Sequence, residues 1–308
     1  MEDQYTTVRL SEKHYPKLVE LYARCFGVRL SLSEIKNKYD TSSFGARDLG
    51  YLALSADGSA AAYYGVFATK VQYQGVVRTV AQSGDTMTAP DHQRKGLFVR
   101  LARATYELAQ REQVDFVFGF PNENSLPGFR DKLGWTFDDY LYDYRFRTGA
   151  PPFCEIASKA RWLRHAYELY AKSLREVVPL QEVRNLPEGA PHQVRDQYFY
   201  SYKTLNGGQW ARIGRLKAFV HARVHVYVGE LDFPEDYSIA ELGRDLRRLG
   251  RRFLARQVVV TLSGNHPRSG LLRAVADPVK SLPIGYLALN TRAPVGGIVF
   301  SRVDLDTF

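Results

Sequence analysis

Met87-Thr88-Ala89-Pro90-Asp91-His92-Gln93-Arg94-Lys95-Gly96-Leu97-Phe98 joins a strand to a helix through a basic turn that carries a glycine. Upstream, Val76–Thr88 reads as one long strand. Its middle, Gln82-Ser83-Gly84-Asp85-Thr86, is too polar for a plain buried strand, and the glycine predicts a bulge or a close approach by backbone or ligand. Ala89-Pro90 breaks the run. Downstream, Leu97, Leu101, Ala104, Thr105 and Leu108 fall on one helical stripe, widened by Phe98 and Ala102. Residues 116–120 are then an apolar and aromatic run, as a central parallel strand should be. Strand, loop, helix and strand make one βαβ unit with the loop at the helix N-terminus. Such a terminus offers unpaired N–H groups and a positive dipole end. Gly96 lets backbone approach an anion, Arg94 and Lys95 add charge, and Gln93 adds an amide. Together they predict a diphosphate cradle.

Outward from this unit, residues 11–26 read as a helix capped by Ser11, with Leu18, Leu21, Tyr22, Cys25 and Phe26 at helical spacing and Gly27 as its stop. Cys25 reads as a packing residue. Residues 51–55 and 60–69 flank the hairpin signal Asp57-Gly58, and 71–73 leads to a second turn at Gly75. Tyr140, Tyr142, Tyr144 and Phe146 alternate with Leu141, Asp143, Arg145 and Arg147, a strand with one aromatic face. Thr148-Gly149-Ala150-Pro151-Pro152 is the clearest boundary in the chain. A helix at about 155–176 follows, then a polar stretch to Pro191. The remainder reads as a second α/β unit, with strands at about 224–230, 257–263 and 284–289 and helices at about 238–255 and 268–275.

Residues 80–98 resemble motif A of the GNAT superfamily of acyl-CoA-dependent N-acyltransferases, Q/R-x-x-G-x-G/A. Gln93-Arg94-Lys95-Gly96-Leu97-Phe98 matches its first two anchors, and Phe98 replaces the third, small residue. Asn122 with Ser125 resembles the Asn-x-x-Ala start of the next helix, and Lys132-Leu133-Gly134-Trp135 resembles the Lys-Leu-Gly-Phe turn that ends motif B. Residues 18–27 resemble the first helix of the fold, so the likeness covers about residues 5–147. It implies an α/β protein with the GNAT fold, a mixed central sheet with splayed parallel strands and flanking helices. A second, smaller GNAT-like α/β half follows, as in tandem members. The expected division is a catalytic domain at 1–148, a linker with a helix at 149–191, and a degenerate GNAT-like domain at 192–308. An acidic approach, Glu235-Asp236-Tyr237, stands where a second cradle would be, so no second coenzyme site is expected.

The resemblance also implies an activity. Acetyl-CoA would be the acyl donor. Met87, Thr88 and Ala89 would offer backbone groups to its pantetheine arm, and the amides of Arg94 to Phe98, with Leu97 between, would hold the pyrophosphate. Asn122 and Ser125 would lie beside the arm. A primary amine of a small molecule such as an amino sugar would attack the thioester directly. Asp85 is the expected general base. The tyrosine that many members place before the Gly-Phe turn has no counterpart here, because Phe129 or Arg130 stands there. Tyr140 is the expected acid, with Tyr142 or solvent as alternatives. That departure keeps a second reading open, a regulatory module that binds acyl-CoA without turning it over.

Composition limits the rest. The chain has 308 residues, 45% hydrophobic and 24% charged, which excludes a disordered class. No apolar run reaches the roughly 18 residues of a membrane span, and the acidic, polar start is not a secretory signal. Two cysteines make no disulfide framework, so a cytoplasmic location is expected. The seven histidines show no ligand spacing, and no metal is expected. A net charge of +9 favours an anionic partner. The arginines at 244, 247, 248, 251, 252 and 256 read as a solvated basic face, with a phosphate site as the sharper alternative. Without a recognisable DNA- or RNA-binding motif, nucleic acid is not the expected partner.

Overall fold

Turn chemistry lays out the first sheet of the computed structural model, which describes residues 4–179, 190–290 and 295–308. The chain opens with β1 (Thr6–Arg9), a short 3-10 turn and α1 (Tyr15–Phe26). Gly27, at φ +68°, ends α1 and returns its N–H to the Ala23 carbonyl. Next is α2 (Leu32–Tyr39), started by a reciprocal capping box between Ser31 and Glu34. Gly58, at φ +77°, turns β2 (Leu49–Leu54) into β3 (Ala60–Tyr73). Gln74 and Gly75, both at positive φ, turn β3 into β4 (Val76–Thr88), as a two-residue hairpin loop of the primed kind requires. α3 (Leu97–Arg111) then crosses to β5 (Phe116–Gly119).

β6 (Thr136–Arg147) leads into α4 (Phe153–Lys159) and α5 (Arg161–Ser173). The single helix expected at 155–176 is therefore two, parted at Ala160, whose extended backbone (φ −107°, ψ +108°) cannot continue a helix. Residues 180–189, within the expected linker, lie outside the described residues. After β7 (His192–Gln193) come α6 (Gln197–Leu205), β8 (Gln209–Ile213), β9 (Leu216–Ala222) and β10 (Val226–Asp232). α7 (Ile239–Arg252), β11 (Gln257–Ser263), α8 (Ser269–Arg273) and β12 (Pro278–Ala288) complete the order. Among the described residues no helix is long and apolar enough to cross a membrane.

Two compact units of nearly equal length result: Met1–Asp138 with Pro283–Gly297, and Asp139–Leu282 with Ile298–Phe308. This division differs from the one expected, and hydrogen bonding explains why. Gly285 to Ala288 of β12 pair antiparallel with β5, which ties 283–297 to the first unit. Leu141 to Arg147 of β6 pair with β11, which ties them to the second. The expected linker also belongs to the second unit, since Cys154 and Ala171 are buried in its core.

Each unit has the same strand logic. In the first, β1, β2, β3 and β4 are antiparallel neighbours, and β5 joins β4 in parallel. In the second, β8, β9 and β10 are antiparallel neighbours, and β11 joins β10 in parallel. In both, one helix makes the crossover, α3 or α7, and both sheets are mixed. Leu18, Leu21, Ile35, Leu52, Tyr63 and Phe67 centre the first core. Leu242, Leu246 and Leu249, a single α7 stripe, pack with Val226, Val228, Val258 and Val260 in the second.

The second core also holds His266, only 4% exposed, whose Nδ1 accepts from the Arg268 N–H at 3.1 Å. Burial, then Arg268 and Arg195, push its pKa down from 6.5 to about 3. Between those values the unfolded chain takes up a proton that the folded chain refuses. Stability is therefore expected to fall as pH drops from about 6.5 towards 3, by up to ~1.4 kcal/mol per pH unit for this group. Urea midpoints at pH 7, 6 and 5 test this. His266→Gln should flatten the dependence, and an unchanged slope would remove His266 as its source.

Candidate functional site

β4 and β5 begin as neighbours and then part. Their pairing is Ala81 to Val117 and Gln82 to Phe118. β4 runs on to Thr88, and its other edge stays bonded to β3, with Tyr63 opposite Met87 and Ala62 opposite Thr88. Residues 83–88 therefore present an edge that no strand among the described residues pairs. The polarity read in 82–86 has a structural cause. Gly84 faces Gly65 and Met87 faces Tyr63, so Asp85 and Thr86 together oppose Tyr64 alone. This is a bulge, with Asp85 at φ +49°, and it bends β4 at the level where the strands separate.

Asp85 is anchored. Its Oδ1 lies 2.7 Å from Lys38 Nζ, and its Oδ2 accepts from the Tyr39 hydroxyl at 2.7 Å. The carboxylate side chain is 5% exposed and that of Lys38 11%. The Lys38 ammonium also sits 5.4 Å from the Phe67 ring centroid. Both partners come from α2, so this helix fixes the bulge.

At the far end of β4 the chain makes a 3-10 turn, Pro90–His92, and enters the loop. Arg94 at φ +60° and Gly96 at φ +74° curl the backbone, and Gly96 is the N-cap of α3. No side chain caps that helix, and a Cβ built on Gly96 would meet nothing within 4 Å. Gln93, Arg94 and Lys95 are exposed, while Leu97 is buried and anchors the turn. The uncapped start of α3 thus follows directly on two exposed cations, Arg94 and Lys95. Nearby, Arg24 bonds Asp91 at 2.8 Å and ties the end of α1 to the loop. Met87 and Ala89 are buried and Thr88 is half-buried. Burial raises the Cys25 thiol pKa, which suits packing and not nucleophilic attack.

The face of the gap nearest α3 is lined by aromatic rings. Phe98 meets Tyr64 edge-on at 5.8 Å and Phe129 at 5.2 Å, and Phe129 meets Trp135 at 4.7 Å. A Cβ on Gly128 would lie 2.7 Å from Phe98 Cε1, so glycine is what lets this ring lie down against the π-helical turn Gly128–Lys132. Phe98 therefore packs against Tyr64, Phe129 and Gly128. A hydroxyl chain that sequence reading missed joins this layer. Ser83 Oγ and Tyr64 OH are 2.8 Å apart, Tyr64 OH and Tyr106 OH are 2.8 Å apart, and Trp135 Nε1 donates to Tyr106 at 3.0 Å. Burial pushes both phenol pKa values up, so they remain neutral hydroxyls. Only the β3 register puts Tyr64 next to Ser83 and Tyr106, and the sequence alone carries no signal of it. Gln82, at the last β4–β5 pair, is 5% exposed, and its amide nitrogen has no partner.

The other expected residues fall as follows. Asn122 is exposed, and its Oδ1 accepts from the N–H groups of Asn124 at 3.1 Å and Ser125 at 3.0 Å. Together Asn122 and Ser125 form the start of the turn after β5. Phe129 is buried and Arg130 pairs with Asp131 at 2.8 Å, so no phenol stands there. Tyr140 lies in β6, in the second unit, with Lys280 Nζ 3.4 Å over its ring. On α7, Arg244 and Arg248 reach Asp245, Arg247 bonds the Gly243 carbonyl, and Arg252 bonds the Arg212 carbonyl. These contacts fit a solvated basic face. Among the described residues, no three His, Cys, Asp or Glu side chains group to hold a metal ion.

Comparison with known proteins agrees with this geometry. The acetyltransferase (GNAT) domain family matches residues 7–137. No functionally curated protein matches the sequence. A GCN5-related N-acetyltransferase from Kribbella flavida superposes at a TM-score of 0.59 and 15% identity, over 96% of this chain and 73% of that one. Another from Sphaerobacter thermophilus gives 0.51 and 13%, over 95% and 98%. A fungal GCN5-related glucosamine N-acetyltransferase region, within a multi-domain GH3 β-N-acetylglucosaminidase, gives 0.53 and 13%, over 92% and 38%. At these identities the likeness is one of fold.

Proposed function

We propose, from the premise that residues 7–137 belong to the GNAT acetyltransferase family, that this protein transfers an acyl group, acetyl in the first instance, from acyl-CoA to the primary amine of a small molecule. The observation that carries this reading is the parting of β4 and β5 after Gln82 and Phe118, with β4 leading straight to the uncapped, glycine-led start of α3. A diphosphate suits those N–H groups and the Arg94 and Lys95 charges. An extended amide-bearing arm suits the unpaired edge at 83–88. Met87, Thr88 and Ala89 lie between the two. Asn122 and Ser125 would flank the arm from the β5 side.

Acyl-CoA would supply an activated thioester, and coenzyme A would leave as the thiol once the amine has attacked. A backbone N–H at the β4 bulge would stabilise the oxyanion. The amine must lose a proton, and Asp85 is the carboxyl side chain at the bulge. Because Lys38 and Tyr39 engage both its oxygens, a water beside Asp85 is the better path for that proton. For thiolate protonation we keep solvent, since burial makes the Tyr64 and Tyr106 phenols weak acids and Tyr140 belongs to the second unit. The acceptor class, an amino sugar or similar amine, draws support from the fold shared with the fungal glucosamine region.

Asp85→Asn tests the mechanism. Turnover is expected to fall at least tenfold in a thiol-release assay across an amine panel, with the acetyl-CoA Kd within threefold. Unchanged turnover removes Asp85 from the chemistry, and a parallel loss of Kd makes it scaffold only. The alternative, a module that binds acyl-CoA without turnover, predicts tight binding with no thiol released by any amine.

A further inference from the structure

The second unit repeats the parting of strands, and there the gap is full. β10 and β11 pair at Val226 with Val258, Tyr227 with Val259 and Val228 with Val260, and then separate. β10 bulges at Gly229 against β9 and continues to Asp232, while β11 continues to Ser263. The segment Ile298–Phe308 of the same unit spans the space between them. Ser301 bridges Leu262 on β11, Ser263 N–H donates to the Phe300 carbonyl at 2.9 Å, and Phe300 N–H donates to Ser263 Oγ at 2.9 Å. On the β10 side, a Cβ on Gly229 would lie 2.6 Å from Phe308 Cζ and 2.8 Å from Val303 Cβ, so the bulge glycine is what lets the segment seat. Phe300, Val303 and Phe308 are all but inaccessible. A charged clamp crosses the space. Arg195 donates to Glu230 of β10 at 2.9 Å and to Asp304 of the segment at 2.9 Å, and Lys203 Nζ donates to the Leu305 carbonyl at 2.6 Å.

We infer that Ile298–Phe308 is a built-in occupant of the second strand gap, standing where an acyl-CoA arm would lie in the first, and that the chain therefore binds a single acyl-CoA. The segment supplies what an extended ligand would supply, namely backbone hydrogen bonds to one strand, apolar groups against the bulge of the other, and carboxylate charge for a buried arginine. The acidic lead-in to α7 is then secondary, because the space itself is taken. The count of one site rests on the function proposed for the first unit, whereas the filled gap does not.

Two measurements on the full chain test this separately. Equilibrium dialysis with labelled acetyl-CoA should give one molecule per chain, and none for Gly96→Glu. Two per chain, or one remaining in Gly96→Glu, would overturn the inference. No binding by the wild type would refute the proposed function, and the second measurement would still decide about the segment. In that measurement, amide hydrogen exchange without ligand should show Phe300, Ser263 and Val303 as slow as the β11 core amides of Val259 and Val260, and saturating acetyl-CoA should leave them unchanged. Exchange at Phe300 a hundredfold or more faster than at Val260, or a change there on adding acetyl-CoA, would show a displaceable strap in place of a fixed occupant.

Discussion

Gly96→Glu is expected to weaken acetyl-CoA binding at least a hundredfold, a loss of ~2.8 kcal/mol. Gly96 sits at φ +74°, where a side chain costs ~1 kcal/mol of backbone strain. Space is not the obstacle, since a Cβ there meets nothing within 4 Å. The main effect is electrostatic. A carboxylate at the N-cap accepts from the first-turn N–H groups that the diphosphate needs and repels the diphosphate itself. Gly96→Ala carries the strain without the charge and should lose less than tenfold. Phe98→Ala is the control for the aromatic layer. Its ring packs on Tyr64 and Phe129, so affinity should change less than threefold. A tenfold gain would show that the ring stands in the coenzyme's path. Isothermal titration calorimetry reads all three.

Arg195→Met should cost ~3–5 kcal/mol of stability, the usual effect of stripping one partner from a buried ion cluster. The Arg195 side chain is 4% exposed, and Glu230 and Asp304 are 3% and 0% exposed. Without the guanidinium, two carboxylates face each other out of water. The triple variant Arg195→Met, Glu230→Met, Asp304→Leu should recover much of the loss, because an apolar replacement of the whole arrangement is far less costly than removal of the arginine alone. Urea unfolding followed by a probe in the second unit measures both. A single-variant loss under 1 kcal/mol would show that water reaches the cluster.

The central βαβ unit was legible because its signals are local. A period-3.6 stripe, an apolar strand and a glycine turn each lie within about twenty residues, and β4, α3 and β5 follow them. Elements with weaker local patterns were not found. α2 is eight residues long and half polar, so Lys38 and Tyr39 could not be linked to Asp85, more than forty positions away. β8, Gln209–Ile213, is five residues long with Gln209 and Arg212 breaking its apolar pattern, and it was not assigned. β3 was read as two runs because Lys70 interrupts its apolar pattern, yet it continues to Tyr73. The return of 285–288 to β5 and the seating of 298–308 between β10 and β11 are long-range pairings, which leave no periodic trace in a single sequence. Asp85 illustrates the same limit. Sequence placed a carboxylate in a polar strand, and only the fold shows both its oxygens engaged.

The most direct test of the coenzyme grip is amide hydrogen exchange across residues 83–98 with and without acetyl-CoA. Protection is expected at residues 95–98 and along the unpaired β4 edge at 83–88, with little change at α7. Binding without protection at either segment, or protection centred on the second unit, would contradict the account.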